Sequence, residues 1–331
     1  MALRDSVHPR KRSHGPLTAR RNPGERAAVA RIPGVPVCLV RVRTRDGVWL
    51  DGVVVEPRSR RRNAALVWVH GLGSTFASGQ PLIGALSRRL AAKGIAYVKL
   101  NTRGHDVVAR GPGRRLGGAA FERFGESVHD IRAMIGLARR AGYGRIVLAG
   151  HSTGANKVLH YAARVRDRRV RGLILLGPVS DIAGEMKRVG ARELRRRVAV
   201  AERIARRDPE ALVPRAFGVH SARRYLSLYR PGAAEDVFPY YRPATRWTAL
   251  RRVRVPVAAV IGDRDEYLDR PAAALVAAFE ENATGARSFT GIVVPGARHG
   301  FQGQEETLAR AVVRWLEARC LGDRPAARRR P

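Results

Sequence analysis

Apolar residues along the 331-residue chain fall into short runs, separated by stretches with helical spacing. Ala64-Ala65-Leu66-Val67-Trp68-Val69, Ala96-Tyr97-Val98-Lys99-Leu100, Arg145-Ile146-Val147-Leu148-Ala149 and residues 170–176 are short and largely apolar. Such runs read as strands buried on both faces. Two further runs, 255–261 and 288–294, have the same character. Between the runs lie stretches that read as helices, at 80–92, 155–163, 271–279 and 305–318. From Phe121 onward, Val128, Ile131, Ile135 and Ala138 recur at helical spacing, and Gly142 closes that helix. Residues 37–55 differ: two alternating runs flank Arg45-Asp46-Gly47, and Asp-Gly there signals a hairpin turn. Repeated strand–helix units predict an α/β fold, a mostly parallel sheet with helices on both faces. Ligands of such sheets bind at the C-terminal ends of the strands.

The rhythm fails in three places, and these divide the chain. Residues 1–34 set Arg10-Lys11-Arg12 and Arg20-Arg21 among Pro9, Gly15, Pro16, Pro23 and Gly24, which predicts a disordered basic arm. Residues 181–246 carry charged helical runs such as Glu193-Leu194-Arg195-Arg196-Arg197, then Tyr225, Tyr229, Phe238, Tyr240 and Tyr241. This reads as an inserted helical cap over the sheet's edge. Residues 321–331 form a basic tail, expected to fray. The α/β core is then 35–180 and 247–320.

Composition narrows the class. A hydrophobic content of 45% supports a substantial core. No apolar run approaches the length of a membrane span, and Met1 to Arg12 lacks the apolar segment of a secretory signal. Cys38 and Cys320 fit neither a disulfide framework nor a metal pattern, so a reducing, cytoplasmic setting is expected. The net charge of +35 would attract nucleic acid, anionic lipid or acidic substrates. Yet only Lys11, Lys93, Lys99, Lys157 and Lys187 are lysine, and arginine supplies the rest of the 63 basic residues. That skew points to a genome rich in G and C rather than to a selected basic surface. No basic-plus-aromatic module is visible, so nucleic acid is not expected as a partner.

The chemistry lies at the strand ends. Gly150-His151-Ser152-Thr153-Gly154 joins the strand 145–149 to the helix 155–163. A serine on so tight a turn needs small neighbours, which the glycines two before and two after it supply. The helix N-terminus adds unpaired N–H groups where negative charge would develop. The pentapeptide alone is a weak signal, and its setting strengthens it. Strand 64–69 ends in the turn His70-Gly71-Leu72-Gly73-Ser74, and strand 96–100 in Asn101-Thr102-Arg103-Gly104-His105-Asp106. A serine hydroxyl needs a base to take its proton and an acid to orient that base. Two later strands run into Gly262-Asp263-Arg264-Asp265-Glu266-Tyr267 and into Pro295-Gly296-Ala297-Arg298-His299-Gly300-Phe301.

Together these landmarks resemble the α/β-hydrolase superfamily, over roughly residues 37–319. The continuation Gly154-Ala155-Asn156-Lys157 resembles an uncharacterised esterase-like branch. The resemblance implies Ser152 as nucleophile, His299 as base and Asp265, three residues after its glycine, as orienting acid. Asp263 and Glu266 are the alternative acids. It implies backbone N–H groups of Leu72 (or Gly73) and Thr153 as the oxyanion hole. His70 is expected to hold its turn by hydrogen bonds, and His105, His129, His151 and His160 to have no catalytic role. The implied activity is hydrolysis of a small acyl substrate, a carboxylic ester or else a thioester or amide, through an acyl-serine, with no cofactor or metal. An acyltransferase using the same triad is one alternative. A non-catalytic binding protein whose basic arms contact anionic partners is another, against which the intact triad argues.

Overall fold

In the computed structural model, residues 36–59, 63–242 and 244–321 are described. The arm expected at 1–34 and the tail beyond Leu321 lie outside them. The chain order is β1 (Val37–Arg43), β2 (Trp49–Val55), β3 (Ala64–Val69), α1 (Gln80–Ala92), β4 (Ile95–Leu100), β5 (Ala109–Arg110) and β6 (Leu116–Gly117). Then come α2 (Ser127–Arg140), β7 (Arg145–His151), α3 (Thr153–Val165) and β8 (Val170–Leu176). After these follow α4 (Asp181–Val189), α5 (Ala191–Arg207), α6 (Ala222–Tyr229), α7 (Thr248–Arg251), β9 (Val257–Gly262), α8 (Ala272–Asn282), β10 (Phe289–Val294) and α9 (Glu305–Arg319).

Eight strands form one sheet in the order β1-β2-β4-β3-β7-β8-β9-β10. The hairpin β1–β2 and the pair β2–β4 are antiparallel, and the remaining pairs are parallel. The central strands are apolar throughout because both faces are covered. Along β3, Ala65, Val67 and Val69 face one core while Ala64, Leu66 and Trp68 face the other. The first core is closed by α2, α3 and α8, through residues such as Ile131, Leu159 and Phe279. The second is closed by α1 and α9, through Leu86, Leu90, Val312 and Trp315. A period of two on every central strand thus fixes which helix lies on which side.

Two local expectations change. The helix expected from Phe121 starts at Ser127, because the chain turns at Gly118 (φ +81°) and then makes one 3-10 turn at Phe124–Glu126. Within the expected glycine-rich loop, β5 and β6 pair as a two-stranded ribbon. Residues 181–246 hold α4, α5 and α6, which share a small core of Ala201, Val213, Phe217, Ala222, Tyr225 and Leu226. Ser180 caps α4 by accepting the Ala183 N–H at 3.3 Å, and Ser221 caps α6 by accepting that of Arg224 at 3.2 Å. Gly190, with φ +83° and ψ 149°, separates α4 from α5.

Candidate active site

Ser152 stands between β7 and α3 with φ +56° and ψ −129°, a conformation that L-residues rarely hold. The surroundings impose it. A Cβ on Gly150 would lie 2.2 Å from the Gly154 carbonyl oxygen, and one on Gly154 would lie 2.2 Å from that of Val69. Only glycines let β7, α3 and β3 approach this closely. Ser152 donates its backbone N–H to Leu176 O at 2.9 Å, tying the turn to β8.

The turn after β3 reaches the serine from the other side. A Cβ on Gly71 would lie 2.9 Å from Ser152 Cβ. His70 holds this turn: its Nδ1–H donates to Gly71 O at 2.9 Å, and its Nε2 accepts the Thr102 N–H at 2.8 Å. Burial, with Lys157 nearby, lowers the His70 pKa to about 3, so the ring is neutral, as an Nε2 acceptor requires. Leu72 and Thr153 line one cavity with Ser152 and His299.

Three acids follow β9, and each has a distinct partner on the loop after β10. Asp265 Oδ2 receives the His299 Nδ1–H at 2.7 Å, with the Asp265 side chain fully buried. Glu266 accepts the backbone N–H of His299 at 3.0 Å, and Asp263 accepts that of Gly296 at 2.7 Å. His151, expected to be inert, secures the same loop by donating Nε2–H to His299 O at 2.8 Å. Burial and the neighbouring His299 lower the His151 pKa to about 4.

The cavity holds about 680 Å³, the size of a small-molecule site. Its floor is Gly71, Leu72, His151, Ser152, Thr153 and His299. Asp181, Glu185, Lys187, Arg188 and Tyr229 wall it from the 181–246 segment. The other aromatics of that segment serve packing. Tyr225 lies 4.7 Å from the Tyr229 ring and Phe238 5.1 Å from Phe279, while Tyr240 Oη accepts the Ser180 N–H at 2.7 Å. Among the described residues no cluster could hold a metal ion, and no helix is long and apolar enough to cross a membrane.

Behind the serine lies a buried charge network that the sequence reading missed. Lys157 Nζ, fully buried on α3, lies 2.7 Å from Glu122 Oε1. Arg224 of α6 pairs with Glu235 and lies 3.6 Å from Glu122. Asn156 Nδ2 donates to Glu235 O at 3.1 Å. One signal was available. In a chain that uses arginine almost everywhere, Lys157 and Lys99 are two of only five lysines, and both are buried.

This arrangement of sheet, turn and helix is the α/β-hydrolase fold, and solved structures agree. The Pyrococcus furiosus esterase Pf2001 aligns with TM-score 0.57 and 18% identity, covering 90% of this chain and 97% of its own. Est1E from Butyrivibrio proteoclasticus, solved with ferulic acid bound, aligns with TM-score 0.59 and 20% identity, covering 84% and 98%. The α/β hydrolase GrgF from a Penicillium species aligns with TM-score 0.59 and 17% identity, covering 86% and 99%. Residues 53–318 match the family described as "Protein of unknown function (DUF1749)", and the chain belongs to that family. No curated protein matches the sequence.

Proposed function

We propose that the protein is a serine hydrolase acting on a carboxylic ester through an acyl-serine intermediate. Ser152 Oγ attacks the ester carbonyl while His299 Nε2 takes its proton. Asp265 holds the opposite ring nitrogen, which fixes the tautomer and stabilises the imidazolium that forms. The tetrahedral oxyanion is received by the backbone N–H groups of Leu72 and Thr153. His299 then returns the proton to the leaving alcohol. Water repeats the sequence on the acyl-serine, releasing the acid and restoring Ser152. Residues 181–246 act as a cap that shapes the pocket.

One observation carries this reading: a serine held at φ +56° shares a cavity with an imidazole whose Nδ1 is engaged at 2.7 Å by a buried carboxylate. The structural neighbours named as esterases support it. A fluorophosphonate probe tests it. The wild-type protein is expected to be labelled, and Ser152→Ala is not. Labelling that survives the substitution would assign the nucleophile elsewhere.

A further inference from the structure

The cavity wall is charged, and most of its charged side chains already have hydrogen-bond partners. Lys187 donates Nζ–H to the carbonyls of Glu266 and Leu268 at 3.1 and 2.9 Å. Arg188 forms a two-point pair with Glu185 at 2.6 and 2.8 Å, and Arg197 reaches Glu185 at 3.4 Å. Glu266 is occupied by the His299 N–H. The exception is Asp181. Its carboxyl meets Asn156 Nδ2, at 3.5 Å, and its own backbone N–H, and among the described residues it has no ion-pair partner. Arg224, the nearby cation, is given to Glu235. Tyr229 and Tyr267 line the same cavity. A wall of three carboxylates against two cations, one of them paired with Glu185, is unexpected in a chain of net charge +35.

Building on the hydrolase reading, we propose that the preferred ester also carries a cationic nitrogen, received by Asp181 with the rings of Tyr229 and Tyr267 beside it. An uncommitted carboxyl together with aromatic faces is the chemistry that recognises an ammonium group. An anionic substrate would find only Lys187 on this wall without a carboxylate partner, and two of its three N–H groups are already turned to backbone carbonyls. The groups facing Asp181 are Asn156 from α3, Arg224 and Tyr229 from α6, Glu235 and Tyr240 from the segment after α6, and His299 from the loop after β10. Burial first, then Glu235, raises the Asp181 pKa to about 7, and Arg224 opposes the shift. A bound cation favours the ionised carboxylate. The KM of a cationic ester should therefore fall as pH rises through 7, while that of a neutral ester does not follow.

The test compares p-nitrophenyl 4-trimethylammoniobutyrate with its neutral isostere, p-nitrophenyl 5,5-dimethylhexanoate. The wild-type enzyme is expected to favour the cationic ester by about tenfold in kcat/KM, mostly through KM. Asp181→Asn, which keeps the shape, should abolish that preference. A merely structural role would alter both esters alike and leave their ratio unchanged, which would overturn the proposal. So would a wild-type preference for the neutral ester. Calorimetric titration of the cationic ester into Ser152→Ala, with and without Asp181→Asn, needs no turnover. Binding weakened by about tenfold upholds the ammonium site, and equal binding overturns it. If neither ester is cleaved, the hydrolase reading fails while this binding arm still decides the site.

Discussion

Asp263, Asp265 and Glu266 stand within four residues of one another, yet their partners differ in kind. Asp265 touches the imidazole, Glu266 touches the backbone of the same histidine, and Asp263 touches the backbone of Gly296. Only the first contact can fix which ring nitrogen of His299 carries the proton. Asp265→Asn should therefore lower kcat on an activated ester by about 10³–10⁴-fold, the scale seen when a triad acid becomes an amide. Asp263→Asn keeps an oxygen for the Gly296 N–H and should stay within about threefold of wild type, a loss of under ~0.7 kcal/mol in barrier terms. Steady-state kinetics on the two variants check the assignment, and equal losses would refute it. The contact of Asp265 with His299 is the one the family resemblance implied for an acid three residues after Gly262. The anchoring roles of Glu266 and His151 were not readable, because each depends on a loop more than thirty residues away in sequence.

At the scale of elements, the strands were legible because a doubly covered strand must be apolar along its whole length. The glycine-rich turns of the candidate site were legible because they sit at the ends of those strands. What joins the 181–246 segment to the core was not. Glu122, Lys157 and the Arg224–Glu235 pair are far apart in sequence, and a charged residue in an arginine-rich chain reads as solvated until its partner is known. The start of α2 was misread for a related reason, since helical spacing extends through a turn that Gly118 sets. The network ties α3, which begins next to the serine, to α6 of the inserted segment. Its four side chains balance in charge, so removing one leaves an uncompensated ion in the interior. Lys157→Met should lower stability by about 3–5 kcal/mol, the usual cost of breaking a buried pair. Pairing it with Glu122→Gln should recover part of that loss, because the orphaned carboxylate is then neutral. Urea unfolding of the two single variants and the double variant measures the coupling, and strictly additive losses would mean that the two groups do not act as a pair.

For the molecule as a whole, the dominant electrostatic fact is imbalance: 63 basic residues against 28 acidic ones. Even if every acid were paired, 35 cations would remain without one. Two effects of salt compete here. Screening weakens surface pairs such as Arg41–Asp51 and Arg89–Glu306, whose side chains are in contact with solvent. Pairs this exposed add little to stability. Screening also weakens the repulsion among the surplus cations, which grows with net charge and favours the expanded chain. At ~0.01 M ionic strength charges interact over roughly 30 Å, and at ~0.15 M over about 8 Å, so most of the long-range repulsion disappears between these limits. The surplus exceeds the number of acids available for surface pairs, so relief of repulsion should win. The melting temperature is therefore expected to rise by several degrees as sodium chloride increases over that interval. It should level off beyond it, because the buried pairs around Lys157 and Arg224 are shielded from the solvent ions. Calorimetry at a fixed pH near 7.5 makes the comparison. A melting temperature that falls with salt would mean that surface pairing, not repulsion, governs the charge of this fold.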